Sequence, residues 1–138
     1  MHIVVDTNVF INIIGTTSPY RWIFDKIISG ELTLCISNEI FYEYWEVLEA
    51  QANPEVAENI SNFLVIMPSI KLIIPFIKWN LIVADPDDNK FVDCAISAGA
   101  ECIITHDAHF NVLKNISFPS VRVISPENFD EVFRSMKS

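Results

Sequence analysis

Apolar residues along this chain come in short runs, each closed by side chains that cap a helix or turn the backbone. His2 to Val5 is such a run with β-branched content, and Asp6-Thr7-Asn8 then offers capping side chains ahead of Val9 to Ile14. The pattern predicts strand, turn, helix. A second helical spacing begins at Ser18-Pro19 and runs through Tyr20, Ile23, Phe24, Ile27 and Ile28 to Gly30, which suits a C-terminal cap. Leu32 to Ile36 is the second predicted strand. Ser37 or Asn38 caps a helix to about Ala52, and Pro54 fits the first turn of another that continues towards Val65, so the two read as a helical hairpin. After Pro68, Ile70 to Ile74 is β-rich and Leu81 to Ala84 is a further apolar run. The polar cluster Asp85-Pro86-Asp87-Asp88-Asn89 then opens a helix to about Ala98. Cys102 to Thr105 and Val121 to Ile124 are the remaining candidate strands. Ser125-Pro126-Glu127 caps a final helix carrying Phe129, Val132 and Phe133.

Strands alternating with helices predict a layered α/β fold with a mainly parallel sheet, in which ligands bind beyond the C-terminal ends of the strands. Asp6 and Asp107 both follow apolar runs at that end. The 138 residues, half of them apolar, suit a single domain over 1–138, and no repeat, low-complexity segment or linker marks a second module. The greasiest stretch, Phe63 to Trp79, is broken by Pro68, Lys71, Pro75 and Lys78, so no membrane span is expected. The opening MHIVVDTN lacks the features of a secretory signal, and a soluble, cytoplasmic protein is the expectation. Cys35, Cys94 and Cys102 are odd in number, without CxxC spacing and in apolar surroundings, which predicts reduced core thiols with no role in chemistry.

Four acids stand where predicted elements aim them at a common edge: Asp6, Glu43, Asp88 and Asp107. Each has an ordinary explanation when taken alone. Asp6 suits a helix cap, although Thr7 and Asn8 beside it can hold its carboxylate or bind a metal-bound water. In NEIFYEYWEVLEA, at about 100° per residue, Ile40, Tyr44, Val47 and Leu48 form one stripe. Glu43 stands beside that stripe, while Glu39 and Glu46 point further away. The helix macrodipole accounts for acids at the start of the DPDDNKFVDCAISAG helix, and it covers Asp87 and Asp85 in the preceding turn. Asp88 is different, because it shares a face with Val92 and Ala95, and an acid on an apolar face needs a partner. Asp93 lies one turn later and off that face, either as a supporting ligand or as a solvated residue. Asp107 follows the buried-looking CIIT run and suits the cap of a short helix. His106 and His109 nearby are weak evidence for a transition-metal site and read as surface or substrate-side residues.

Converging carboxylates about 4 Å apart repel by roughly 1 kcal/mol in water and several times more in a less polar pocket, so the cluster calls for protonation or a cation. All-oxygen ligands favour Mg²⁺ or Mn²⁺, which bridge phosphate oxygens and activate water. The net charge of −9 opposes binding a polyanion, but bound divalent ions reverse the field locally.

DTNVF, SNEIFYEYWEVL, DPDDNKFVDCAISAGAECIITHD and VISPENF, in this order and spacing, resemble the PIN domain. The resemblance covers nearly the whole chain and points to the toxin components of toxin–antitoxin systems related to VapC-type ribonucleases. It implies a three-layer α/β/α sandwich with an acidic pocket at the C-terminal edge of a parallel sheet. The family's acids map onto Asp6, Glu43, Asp88 and Asp107, with Asp93 as an extra acid and Thr7, Asn8 or Thr105 as polar support. It further implies Mg²⁺- or Mn²⁺-dependent cleavage of RNA by a homodimer that an antitoxin protein silences.

Three other readings compete. A haloacid-dehalogenase-type phosphatase needs a second Asp two residues after the first, where this chain has Asn8, and a receiver domain needs a late Lys, where VRVIS has only Arg122. The third is a PIN-like scaffold that binds a protein and turns over little, with Tyr20, Trp22, Tyr42 and Trp45 as candidate exposed aromatics.

Overall fold

A computed structural model describes residues 1–137. Strand β1 (His2–Val5) ends at Asp6, whose carboxylate accepts the Val9 amide at 2.9 Å and so starts helix α1 (Thr7–Ile13). Helix α2 (Arg21–Ser29) stops at Gly30, whose φ of 84° lies in the left-handed region that glycine enters without a Cβ penalty. Strand β2 (Thr33–Ile36) passes through the Ser37 cap into α3 (Asn38–Gln51), and Asn53 caps α4 (Pro54–Ile66), which has Pro54 in its first turn. Strand β3 (Ile70–Leu72) follows, then a 3₁₀ turn at Pro86–Asp88 leading into α5 (Asn89–Ala98). Strand β4 (Cys102–Ile104), a 3₁₀ segment at Ala108–Asn115, β5 (Val123–Ile124) and α6 (Pro126–Lys137) complete the order.

The sheet runs β3-β2-β1-β4-β5 and every pair in it is parallel. Its central strands are near-continuous apolar runs because helices cover both faces, and Ile3, Val4, Val5, Leu34, Cys35, Ile103 and Ile104 are fully buried. Tyr44 of α3 stacks on Phe10 of α1 with ring centroids 4.0 Å apart, and its hydroxyl donates to the Val5 carbonyl, which fixes α3 over the end of β1. Trp22 of α2 packs against Phe129 and Phe133 of α6. All three cysteines are free and buried. Among the described residues, no helix is long and apolar enough to cross a membrane.

Four strands are shorter than the apolar runs that predict them, β3 and β5 by two residues each and β2 and β4 by one, and the Leu81–Ala84 run joins no strand. Its backbone is instead held by side chains of α5. Asn89, itself buried, accepts the Ile82 N–H and donates to the Ile82 carbonyl, both at 2.9 Å, and Asp93 accepts the Trp79 N–H at 3.0 Å. These bonds satisfy the backbone groups that a strand ladder would otherwise satisfy.

The chain order reverses direction across the sheet at β1, which has β2 on one side and β4 on the other. In a parallel α/β sheet this reversal opens a crevice beyond the carboxyl ends of the two strands. Asp6 leaves β1 there, and Thr105 to Asp107 leave β4 there.

Candidate metal centre

Asp6 sits at the floor of the crevice and is 7% exposed. One carboxylate oxygen caps α1, and the other accepts the Thr105 hydroxyl, whose own oxygen accepts the Asp107 amide at 2.9 Å. Burial pushes the Asp6 pKa up, and the nearby Asp107 charge adds to this. Thr7, the first residue of α1, donates its hydroxyl to Glu43, which reaches in from α3. The second Glu43 oxygen meets Lys90 Nζ at 2.5 Å, and Lys90 also lies 3.4 Å from Asp87. Burial alone would lower the Lys90 pKa, but its bonds to Glu43 outweigh this and raise it.

Beside this hydrogen-bonded set lies a group of four ligand atoms from Asp85, Asp88, Asp107 and His109, all within 4.8 Å of one another. The 3₁₀ turn explains how two of them meet. Asp85 caps the turn and Asp88 ends it, and residues three apart in a 3₁₀ helix lie one above the other. Asp107 caps the second 3₁₀ segment by accepting the His109 amide at 2.9 Å, which folds the imidazole back over the cap. His109 Nδ1 then stands 3.2 Å from Asp107, 3.7 Å from Asp88 and 3.9 Å from Asp85. Asp88 Oδ2 is buried without a hydrogen-bond partner among the described residues. Burial, then the charges of Asp107 and Asp85, push the Asp88 pKa up to about 7. An unsatisfied carboxylate oxygen among two other carboxylates and an imidazole suits a divalent cation.

The crevice therefore brings together the side chains of Asp6, Glu43, Asp88, Asp107, Thr7 and Thr105, all singled out from the sequence, but it divides their work. Asp88 and Asp107 stand in the four-atom group, whereas Asp6 and Glu43 are held by hydroxyls and Lys90. Asn8 is exposed on α1. Asp93 lies outside the group, and it is neither solvated nor a ligand there, since it is 7% exposed and bonded to the Trp79 amide. The sequence reading missed Asp85, His109 and Lys90. For Asp85 a signal was available in its spacing of three from Asp88 across a proline turn. For Lys90 it was the same spacing from Asp87.

Residues 2–109 match the sequence profile of the PIN domain. The chain belongs to the PIN domain family. Solved structures share the fold of this PIN domain at low sequence identity. VapBC2 from Rickettsia felis, bound to a DNA fragment from its promoter, has a TM-score of 0.63 at 15% identity, with 91% of this chain and 98% of that chain covered. VapBC-1 from nontypeable Haemophilus influenzae gives 0.60 at 16% identity, covering 93% and 100% respectively. DNA-bound VapBC from Salmonella typhimurium gives 0.57 at 16% identity, covering 91% and 98%. No curated protein matches this PIN domain in sequence.

Proposed function

We propose that this PIN domain is a cytoplasmic, metal-dependent endoribonuclease and the toxin of a toxin–antitoxin pair. The observation that carries the reading is the buried, unpartnered Asp88 Oδ2 in a group with Asp85, Asp107 and His109. Asp88, Asp107, Asp85 and His109 would hold a Mg²⁺ or Mn²⁺ ion. When bound, the ion supplies positive charge to a phosphate oxygen and lowers the pKa of an attacking water. The side chains around it prepare the phosphodiester for in-line attack. Asp6, fixed at both oxygens and held above its ordinary pKa, is suited to take a proton from water at Oδ2. Lys90 neutralises Glu43 and keeps it from adding to the repulsion at Asp88.

An antitoxin partner and a homodimer belong to the same proposal. Support comes from the fold shared with the VapBC structures and from apolar side chains left open around β3: Val65, Ile66, Leu72, Ile74 and Phe76 are each at least 60% exposed. The same exposure, with Tyr42 and Trp45 open on α3, favours the scaffold reading, in which protein binding is the main role and turnover is small.

The two readings separate when a cleavage assay is run beside Mn²⁺ and partner-binding titrations. RNA is incubated with the wild type, Asp6→Asn and Asp88→Asn in EDTA, Mg²⁺ and Mn²⁺. The nuclease reading expects cleavage only with metal and only by the wild type. Cleavage in EDTA, or full activity in both variants, would sink it, and tight partner binding without metal uptake would favour the scaffold.

A further inference from the structure

A cavity of about 580 Å³ opens beside the carboxylate group, between the Ala108–Asn115 segment and the β5–α6 junction. Asp107 lines the cavity and belongs to the four-atom group, so the two are continuous. Val123, Ile124 and Val132 give the cavity an apolar part, while His106, Asn111, Lys114, Ser125 and Asn128 supply donors and acceptors. Lys114 is its one cationic residue and makes no ion pair among the described residues. Lys90, the other cation near the crevice, is already bound to Glu43 and Asp87.

The His106 ring is held in place. Its Nε2 meets Glu127 Oε1 at 2.6 Å, and the Tyr20 hydroxyl donates to the same oxygen at 3.0 Å. The ring is nevertheless half exposed, which leaves it open to a stacking partner. This set matches what a nucleotide of a single strand requires: apolar and aromatic surface for the base, amides for its edge and a cation for a phosphate. The volume falls within the roughly 300–1,000 Å³ of small-ligand sites.

We propose that this cavity seats the nucleotide flanking the cleaved phosphodiester of a single-stranded RNA. Lys114 Nζ meets the flanking phosphate, the Asn111 and Asn128 amides read the base edge, and His106 stacks on the base. Glu131, also in the lining, accepts a ribose hydroxyl or an exocyclic amine and confines the phosphate to the Lys114 side. The proposal rests on the nuclease reading for the position of the scissile bond.

The binding test uses the full chain in Mn²⁺ with Asp6→Asn present throughout, so that the ion can reverse the local field and binding is read without turnover. The wild type in it is the chain with no further change. A short single-stranded RNA carrying 4-thiouridine is photo-crosslinked and the attachment sites are mapped by mass spectrometry. Affinity is measured by fluorescence anisotropy for the wild type, Lys114→Glu, and Lys71→Glu at the opposite edge of the sheet. Crosslinks within residues 105–132 are expected, with affinity about tenfold weaker in Lys114→Glu and near wild type in Lys71→Glu. Crosslinks confined elsewhere, equal losses in both variants, or no RNA binding would overturn the subsite. If RNA is cleaved with Mn²⁺ yet Lys114→Glu binds and cleaves like the wild type, the subsite fails and the nuclease reading stands. If crosslinks fall in the cavity but no metal supports cleavage, the nuclease reading fails, and what stands is a single-stranded RNA site with no scissile bond beside it.

Discussion

Asp88 and Lys90 are two residues apart and pose opposite electrostatic problems. Asp88 is a carboxylate whose buried oxygen has no donor, and Lys90 is a nearly buried ammonium that has two carboxylates. Removing the charge at Asp88 therefore relieves the metal-free fold while it disables the site. Asp88→Asn should lose Mn²⁺ affinity by more than about 100-fold, since even the outer partners of metal ligands are worth roughly 10- to 100-fold. Calorimetric titration measures this, and an unchanged affinity would remove Asp88 from the ligand set. Lys90→Met should destabilise the fold by about 2 kcal/mol, below the roughly 3–5 kcal/mol of a fully buried pair because Glu43 is partly exposed. Adding Glu43→Gln should recover most of that loss in urea denaturation, whereas additive losses would show that the pair is not the cause. His109 brings a nitrogen into a set of oxygens, which favours Mn²⁺ over Mg²⁺. His109→Ala should narrow the preference between the two ions, read as the ratio of their affinities.

At the scale of elements, the sequence pattern locates the helix starts and stops well, because Asp6 and Ser37 announce helix starts, Pro54 marks a first turn and Gly30 announces a stop through local chemistry alone. Helical phase also separated Glu43 from Glu39 and Glu46, which are exposed. The path of residues 73–85 was not legible. Its apolar residues suggest a strand, but the bonds that hold it come from Asn89 and Asp93, whose side chains meet it only after folding. Asp93 is consequently a buried bracket for this segment and not the solvated acid that its position off the apolar face allows. The convergence of His109 on Asp85 was hidden for the same reason, since 3₁₀ turns from two separate elements bring them together. Asn89→Ala tests this element directly. It frees two buried backbone groups of Ile82 and should cost about 2 kcal/mol of stability. It should also weaken Mn²⁺ binding without touching a ligand, because Asp85 is carried by the released segment. Full metal affinity in a destabilised variant would detach that segment from the site.

For the whole molecule, a net charge of −9 and a pocket of converging acids give the metal-free state a distinct pH response. The folded-state pKa values of Asp6, Asp88 and Asp93 are raised, chiefly by burial, and that of Asp88 reaches about 7. A raised carboxyl pKa means that the folded state binds more protons than the unfolded one, so its contribution falls as pH climbs from the ordinary carboxylate range towards 7. The lowered values of Glu31 and Glu127, at about 2, act in the opposite direction but are complete above the ordinary glutamate pKa. Between pH 5 and pH 8 the Tm of metal-free Asp88→Asn should therefore rise relative to the wild type, and Mn²⁺ should raise the Tm of the wild type alone. An equal offset at all pH values would contradict the assignment of Asp88. The same ion would reverse the local field that otherwise repels a phosphate, which links this response to nucleic-acid binding. Whether Asp85, Asp88, Asp107 and His109 together hold a divalent cation is decided by a Mn²⁺ titration of the wild type beside Asp88→Asn. Saturable, stoichiometric uptake by the wild type that Asp88→Asn loses is the predicted result, and no uptake, or identical uptake by both proteins, would contradict it.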